Sequence, residues 1–101
     1  MEKRTPHYSL AEIKALVAER GALAFTRTAM DNGHAMGLIV QDMIEVVCSM
    51  TIANFYKSMT TYHDHTAWHD VYHAITPVGS IAYIKVSDPS GRRPVIQFKE
   101  K

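Results

Sequence analysis

Apolar residues change their spacing partway along this chain. Leu10, Ile13, Leu16 and Val17, and later Met43, Ile44, Val47 and Met50, recur at three- and four-residue intervals, the repeat of a helix that turns one side to a core. From Trp68 the period becomes two. Trp68, Asp70 and Tyr72 would point to one side of a strand and His69, Val71 and His73 to the other, while Ala82, Ile84 and Val86 share a side, as do Ile96 and Phe98. Helices first and strands second predict an α+β domain, with N-terminal helices packed on one face of a mostly antiparallel sheet.

The punctuation is consistent with that order. Ser9 and Glu12 form a capping box ahead of a helix over 10–20, and Gly21 stands where its C-terminal cap is expected. Residues 22–26 fit a short strand or extended connector. Thr26 or Thr28 can cap a second helix from Arg27 to about Met36, ended by Gly37, with Gly33 as an unfavourable residue inside it. A third helix starts near Gln41, with Asp42 in its first turn and room for a kinked continuation through Asn54 to Lys57. Pro77 and Gly79 end the strand that begins at Trp68. Strands are predicted over 80–87 and 94–99, joined by the turn-rich Asp88-Pro89-Ser90-Gly91-Arg92.

One hundred and one residues make a single domain, 1–101, that can bury a core without metal or disulfide staples. The single cysteine, Cys48, excludes an internal disulfide and a cysteine-based metal cage; its helical spacing with Ile44 and Val47 favours a core thiol over a nucleophile. No signal-peptide-like run follows the charged Met1–His7, and the longest uncharged apolar stretch is too short to span a bilayer, so a cytoplasmic protein is expected.

Net charge is +1, yet it is unevenly placed. Residues 55–101 carry six basic and four acidic side chains and four of the six histidines, which makes this the anion-facing half. Within it, Phe55–Tyr72 (FYKSMTTYHDHTAWHDVY) gathers one lysine, three histidines, two aspartates and the sole tryptophan.

Alternation puts Tyr83 and Lys85 on the side of their strand away from the apolar residues, with Gln97 and Lys99 likewise on theirs. If the Trp68 strand joins the sheet, His69 and His73 are added. A face of histidine, tyrosine and lysine without paired carboxylates suits an anionic substrate, and metal-free RNA cleavage is the natural candidate. That reaction needs a proton acceptor for the 2′-hydroxyl, a proton donor for the leaving 5′-oxygen, and cations for the phosphorane. The residues alone leave other readings open. Exposed lysine and tyrosine are commonplace on a solvated sheet face. His63, His65, His69 and His73 with Asp64 and Asp70 include acceptable metal ligands, although no HExxH pattern is present. The face could also bind RNA or a protein without cutting anything.

Met1–His7 (MEKRTPH), Phe55–Tyr62 (FYKSMTTY), Asp64–Thr66 (DHT), Trp68, Asp70–Tyr72 (DVY) and Phe98–Lys101 (FKEK) closely resemble the motility quorum-sensing regulator toxins, the MqsR family. The match runs from end to end, in outline only between Ala22 and Ala53. The resemblance implies a RelE-like toxin fold and a ribosome-independent, metal-independent mRNA endoribonuclease of a type II toxin–antitoxin system, preferring GC-containing, GCU-like sites and needing no cofactor. It also implies a cognate MqsA-like antitoxin with a zinc-binding region and a helix-turn-helix region. Zinc would belong to that partner, operator DNA would be reached only through it, and no membrane partner is implied.

The family's functional positions fall on Lys57, position 69, Tyr83 and Lys99. His69 departs from the family's usual glutamine, and His73 stands where a close relative would show arginine. On this reading Lys57 and Lys99 stabilise the scissile phosphate, Tyr83 orients or protonates it, and His69 is the general acid or base, lying beside Tyr83 and Lys99 across the sheet. His73 and Lys85 are secondary phosphate contacts. The alternative is a toxin-fold regulator that binds RNA or antitoxin with little nuclease activity.

Overall fold

The computed structural model describes residues 1–63, 65–87 and 95–101. Ser9 Oγ accepts from the Glu12 backbone N–H at 3.3 Å and starts α1 (Leu10–Arg20), which Gly21 closes by donating its N–H to Val17 O. Residues 21–24 form a 3₁₀ turn where a short strand or connector is expected. Phe25 is extended and makes a single parallel bridge to Ile96, and Thr26 N donates to Ile96 O at 3.1 Å. Thr26 Oγ1 then accepts from the Ala29 N–H at 3.0 Å and opens α2 (Arg27–Ala35).

Gly33 earns its place in α2 through packing, since a Cβ there would run into the side chain of Met43 on the next helix. That helix, α3 (Val40–Ser49), begins with the Asp42 carboxylate accepting from the Ile39 N–H at 3.0 Å. Its expected continuation to Lys57 does not form. Met50 is extended, Ile52–Asn54 make a 3₁₀ turn, and Phe55–Thr60 is a strand. Tertiary contacts outweigh the local pattern here. The Asn54 amide accepts from the Thr51 N–H at 2.9 Å and donates to His73 O at 3.0 Å, and Ser58 Oγ donates to Asp70 Oδ1 at 2.6 Å.

Among the described residues, five strands follow one another in space: β1 (Glu2–Lys3), β2 (Phe55–Thr60), β3 (Trp68–Ile75), β4 (Ile81–Ser87) and β5 (Val95–Glu100), every neighbouring pair antiparallel. The β3 strand is thus central in the sheet. The expected loop over 88–92 and the start of the last strand at Pro94 lie outside the described residues. The turn between β3 and β4 is tightly specified: Thr76 N donates to Ser80 O at 2.8 Å, the two hydroxyls lie 2.8 Å apart, and Gly79 takes φ +86°, a region that side-chain-bearing residues rarely enter.

Helices α1, α2 and α3 cover one face. Ile13 and Val17, Ala29, and Met43 and Val47 meet Tyr72, Ile84, Val86, Ile96 and Phe98, all buried, as the alternation in β4 and β5 requires. The Tyr72 phenol lies in this core, where burial and the Asp70 charge push it up to about 12, so it stays protonated. Asp70 is itself fully buried; it accepts from the backbone N–H groups of His7 and Tyr8 as well as from Ser58, tying the N-terminal segment to β2 and β3. Among the described residues, no helix is long and apolar enough to cross a membrane.

Candidate active site

Residues paired across an antiparallel sheet share a face, so the register states which side chains stand together. On the face away from the helices, His73, Tyr83 and Lys99 form one cross-strand row. Lys57, Val71, Lys85 and Gln97 form the next, and Met59, His69, Ser87 and Val95 the one beyond. All six candidates, Lys57, His69, His73, Tyr83, Lys85 and Lys99, therefore occupy one surface. Val71 at its middle is 0% exposed, so the surrounding side chains close over the centre of the face.

A break in the β2–β3 register between Phe55 and Lys57 adds a member that periodicity does not announce. Such a bulge re-aims a side chain, and here the Tyr56 ring stacks on His73 with centroids 4.5 Å apart and planes at 24°. His73 in turn lies 5.6 Å from Tyr83, and Lys99 Nζ is 5.0 Å from the Tyr83 ring centre. Lys57 Nζ is 5.5 Å from the Tyr56 ring. Three rings cross three strands with an ammonium near each end.

The charge states follow from the surroundings. Lys57 Nζ lies 2.9 Å from Glu2 Oε1, and this contact raises the lysine above its ordinary value and lowers the glutamate below its own. Burial, and secondarily Lys101, hold His73 below the usual histidine value; burial followed by Lys85 does the same for His69. Both imidazoles are neutral near pH 7. The face thus offers fixed cations beside uncharged rings able to accept a proton.

One expectation is corrected by the register. His69 pairs with Met59 and Ser87, not with a residue of the Tyr83 row, and the four residue steps from it to His73 span about 13 Å of strand. It does not stand beside Tyr83 and Lys99. The five-residue turn that sets Ile75 opposite Ile81 decides this, and His73 takes the place beside Tyr83. Both ring nitrogens of His69 are buried without a hydrogen-bond partner among the described residues.

The metal reading gains nothing from the fold. Asp70 points to the opposite side of β3 from His69 and is engaged by Ser58 and two backbone N–H groups, and Asp64 lies outside the described residues. Among the described residues, no three histidine, cysteine or acidic side chains come together. A cleft of about 330 Å³ lies at the β5 edge of the face, with Tyr83, Lys85 and Lys99 on one wall and Thr28 and Asn32 of α2 on the other.

The model of the family described as "Motility quorum-sensing regulator, toxin of MqsA" matches residues 5–100. The chain belongs to this toxin family. It is also 42% identical, over the full length of both chains, to the mRNA interferase toxin MqsR of Escherichia coli (strain K12). The helices-on-sheet arrangement is compatible with the RelE-like fold implied by the family resemblance.

Two members of the site escape sequence reasoning. Tyr56 sits next to Lys57, and strict alternation would send the two to opposite faces; the bulge brings both to one. Glu2 lies 55 positions before Lys57, and only the pairing of β1 with β2 brings its carboxylate there. The quoted MEKRTPH block signals that the N-terminus matters, without signalling how.

Proposed function

We propose that this chain is a toxin that cleaves mRNA, and that the face bearing Lys57, Tyr83, Lys85 and Lys99 holds the scissile phosphate. The observation that carries the reading is the convergence of three lysines and a tyrosine on one sheet face, in a chain matched end to end by an mRNA interferase toxin. In the reaction the 2′-oxygen loses its proton and bonds to phosphorus. The bond from phosphorus to the 5′-oxygen breaks, and that oxygen takes up a proton, leaving a 2′,3′-cyclic phosphate and a 5′-hydroxyl.

Lys99 and Lys57 offset charge on the phosphorane, and the Tyr83 hydroxyl orients the phosphate or protonates the leaving oxygen. The pairing of His73 with Tyr83 supports giving the proton-acceptor role to His73 rather than His69. His73, neutral and adjacent to Tyr83, is the better-placed proton acceptor, while Lys85 grips the strand farther along the face and His69 keeps its ring nitrogens buried beside it. The chemistry proceeds without a metal, at GC-containing, GCU-like sites. A cognate MqsA-like antitoxin, with zinc and a helix-turn-helix region of its own, neutralises the toxin in the bacterial cytoplasm and carries it to operator DNA.

Incubation of the purified protein with a defined RNA in EDTA, with cut sites and end groups mapped before and after antitoxin is added, tests the reading. Cleavage with cyclic phosphate ends, abolished by a 2′-deoxyribose 5′ of the scissile phosphate, is expected. RNA binding without any cut would instead support a non-catalytic regulator.

A further inference from the structure

We infer that the cleft between α2 and β5 is a nucleobase-reading subsite, in which Thr28 and Asn32 contact the edge of a base flanking the scissile phosphate. The inference rests on the RNA-cleaving reading and names how that site selects its sequence. Its volume, about 330 Å³, is at the low end of pockets that hold small ligands, roughly 300–1,000 Å³. Its walls divide by chemistry. Tyr83, Lys85 and Lys99 belong to the phosphate-facing surface, whereas α2 supplies hydroxyl and amide groups. A base bound there would be joined by one ribose to a phosphate held at Tyr83 and Lys99.

The α2 side chains differ in what they have left to offer. Thr26 Oγ1 accepts from the Ala29 N–H as the helix cap, which fixes it at the start of α2. Thr28 is exposed two positions later, and its hydroxyl makes no hydrogen bond to a described residue. Asn32 lies one turn beyond, on the same side of the helix. Its Nδ2 donates to Phe98 O at 3.1 Å, which fixes the amide and leaves Oδ1 as an oriented acceptor. An acceptor held in place beside a hydroxyl that can donate or accept suits the mixed donor and acceptor edge of a base. A bare phosphate needs donors and positive charge, and this wall brings no cation. Single-stranded RNA is read by such contacts to splayed-out bases.

The test maps cuts by wild type, Thr28→Val and Asn32→Ala in an RNA pool randomised around one cleavage site, with thermal melting to establish that each variant is folded. Preference at one flanking position should relax about tenfold in either variant, the worth of one hydrogen bond. Unchanged preference in both folded variants would overturn the inference. A second measurement uses the wild-type protein alone: the four nucleoside 3′-monophosphates and inorganic phosphate are titrated while the Thr28 backbone and Asn32 side-chain amide signals are followed by NMR. These signals should move in a base-dependent way. Equal movement with all four nucleotides and with phosphate would show an anion site and overturn the inference. If wild type cuts no RNA, the nuclease reading fails, and the titration, which needs no cleavage, decides the cleft by itself.

Discussion

Lys57 Nζ and Glu2 Oε1, 2.9 Å apart, join a candidate phosphate-binding lysine in mid-chain to a two-residue strand near the N-terminus. The carboxylate occupies ground that an RNA phosphate would need. Binding of RNA must therefore displace Glu2 or share the ammonium with it. Glu2→Gln should tighten binding of an uncleavable 2′-deoxy-substituted RNA and steepen the fall of log K with log salt by about 0.7, one additional phosphate neutralised on a single strand. Weaker binding with an unchanged salt slope would mean that Glu2 instead holds Lys57 in its working position.

Expression of the wild-type chain should arrest growth, and Lys57→Ala, Tyr83→Phe and Lys99→Ala should each relieve that arrest. Each removes a polar group from the outer face and leaves the core intact, so stability should change by about half a kcal/mol or less. Urea melts of the purified variants, set beside the growth curves, check both halves of the expectation. Full toxicity of all three folded variants would remove these residues from the site.

The two neutral histidines predict an asymmetric pH response. His73 lies below the ordinary value of 6.5, so as a base it is competent at neutral pH and fails only as pH falls through its lowered value. The acid limb of single-turnover cleavage should thus have its midpoint below 6.5. His73→Gln should flatten that limb and slow the step by about 10²-fold, whereas His69→Gln should leave the limb in place. Loss of the limb in His69→Gln alone would return the proton transfer to His69.

The same depressed values carry a stability consequence. A histidine whose folded value lies below its unfolded one favours the fold at pH above the unfolded value, and that contribution is lost as pH falls through the folded value. The melting temperature should decline on acidification below pH 6.5, and the double variant His69→Gln/His73→Gln should show less of this decline.

Asp70 should be the most costly polar residue to remove. Asp70→Ala strands the buried Ser58 hydroxyl and the His7 and Tyr8 backbone N–H groups, each of which now donates to a charged acceptor. A loss of about 3–5 kcal/mol is expected by chemical denaturation, with Asp70→Asn retaining part of it. A change under about 1 kcal/mol would show that the N-terminal segment is not anchored as described.

Local pattern was sufficient wherever one face of an element is buried and the other is not. Ile13 and Val17 on α1, Ala82, Ile84 and Val86 on β4, and Ile96 and Phe98 on β5 lie in the core because a helix returns to the same face every three or four residues and a strand every two. That alternation also put Tyr83, Lys85 and Lys99 on the outer face, and Ser9 and Thr26 marked two helix starts through hydroxyls that accept from the third residue on. Family-specific blocks added Lys57, which periodicity had left at the end of a helix. Tertiary structure decided the rest. Phe55–Thr60 became a strand because Ser58 and Asn54 find partners on β3, a choice no local preference encodes. The bulge at Tyr56, the pairing of Glu2 with Lys57 and the separation of His69 from Tyr83 all depend on register. Alternation names the face on which a side chain lies; its neighbour across the sheet is set by turn geometry and by contacts made with distant parts of the chain.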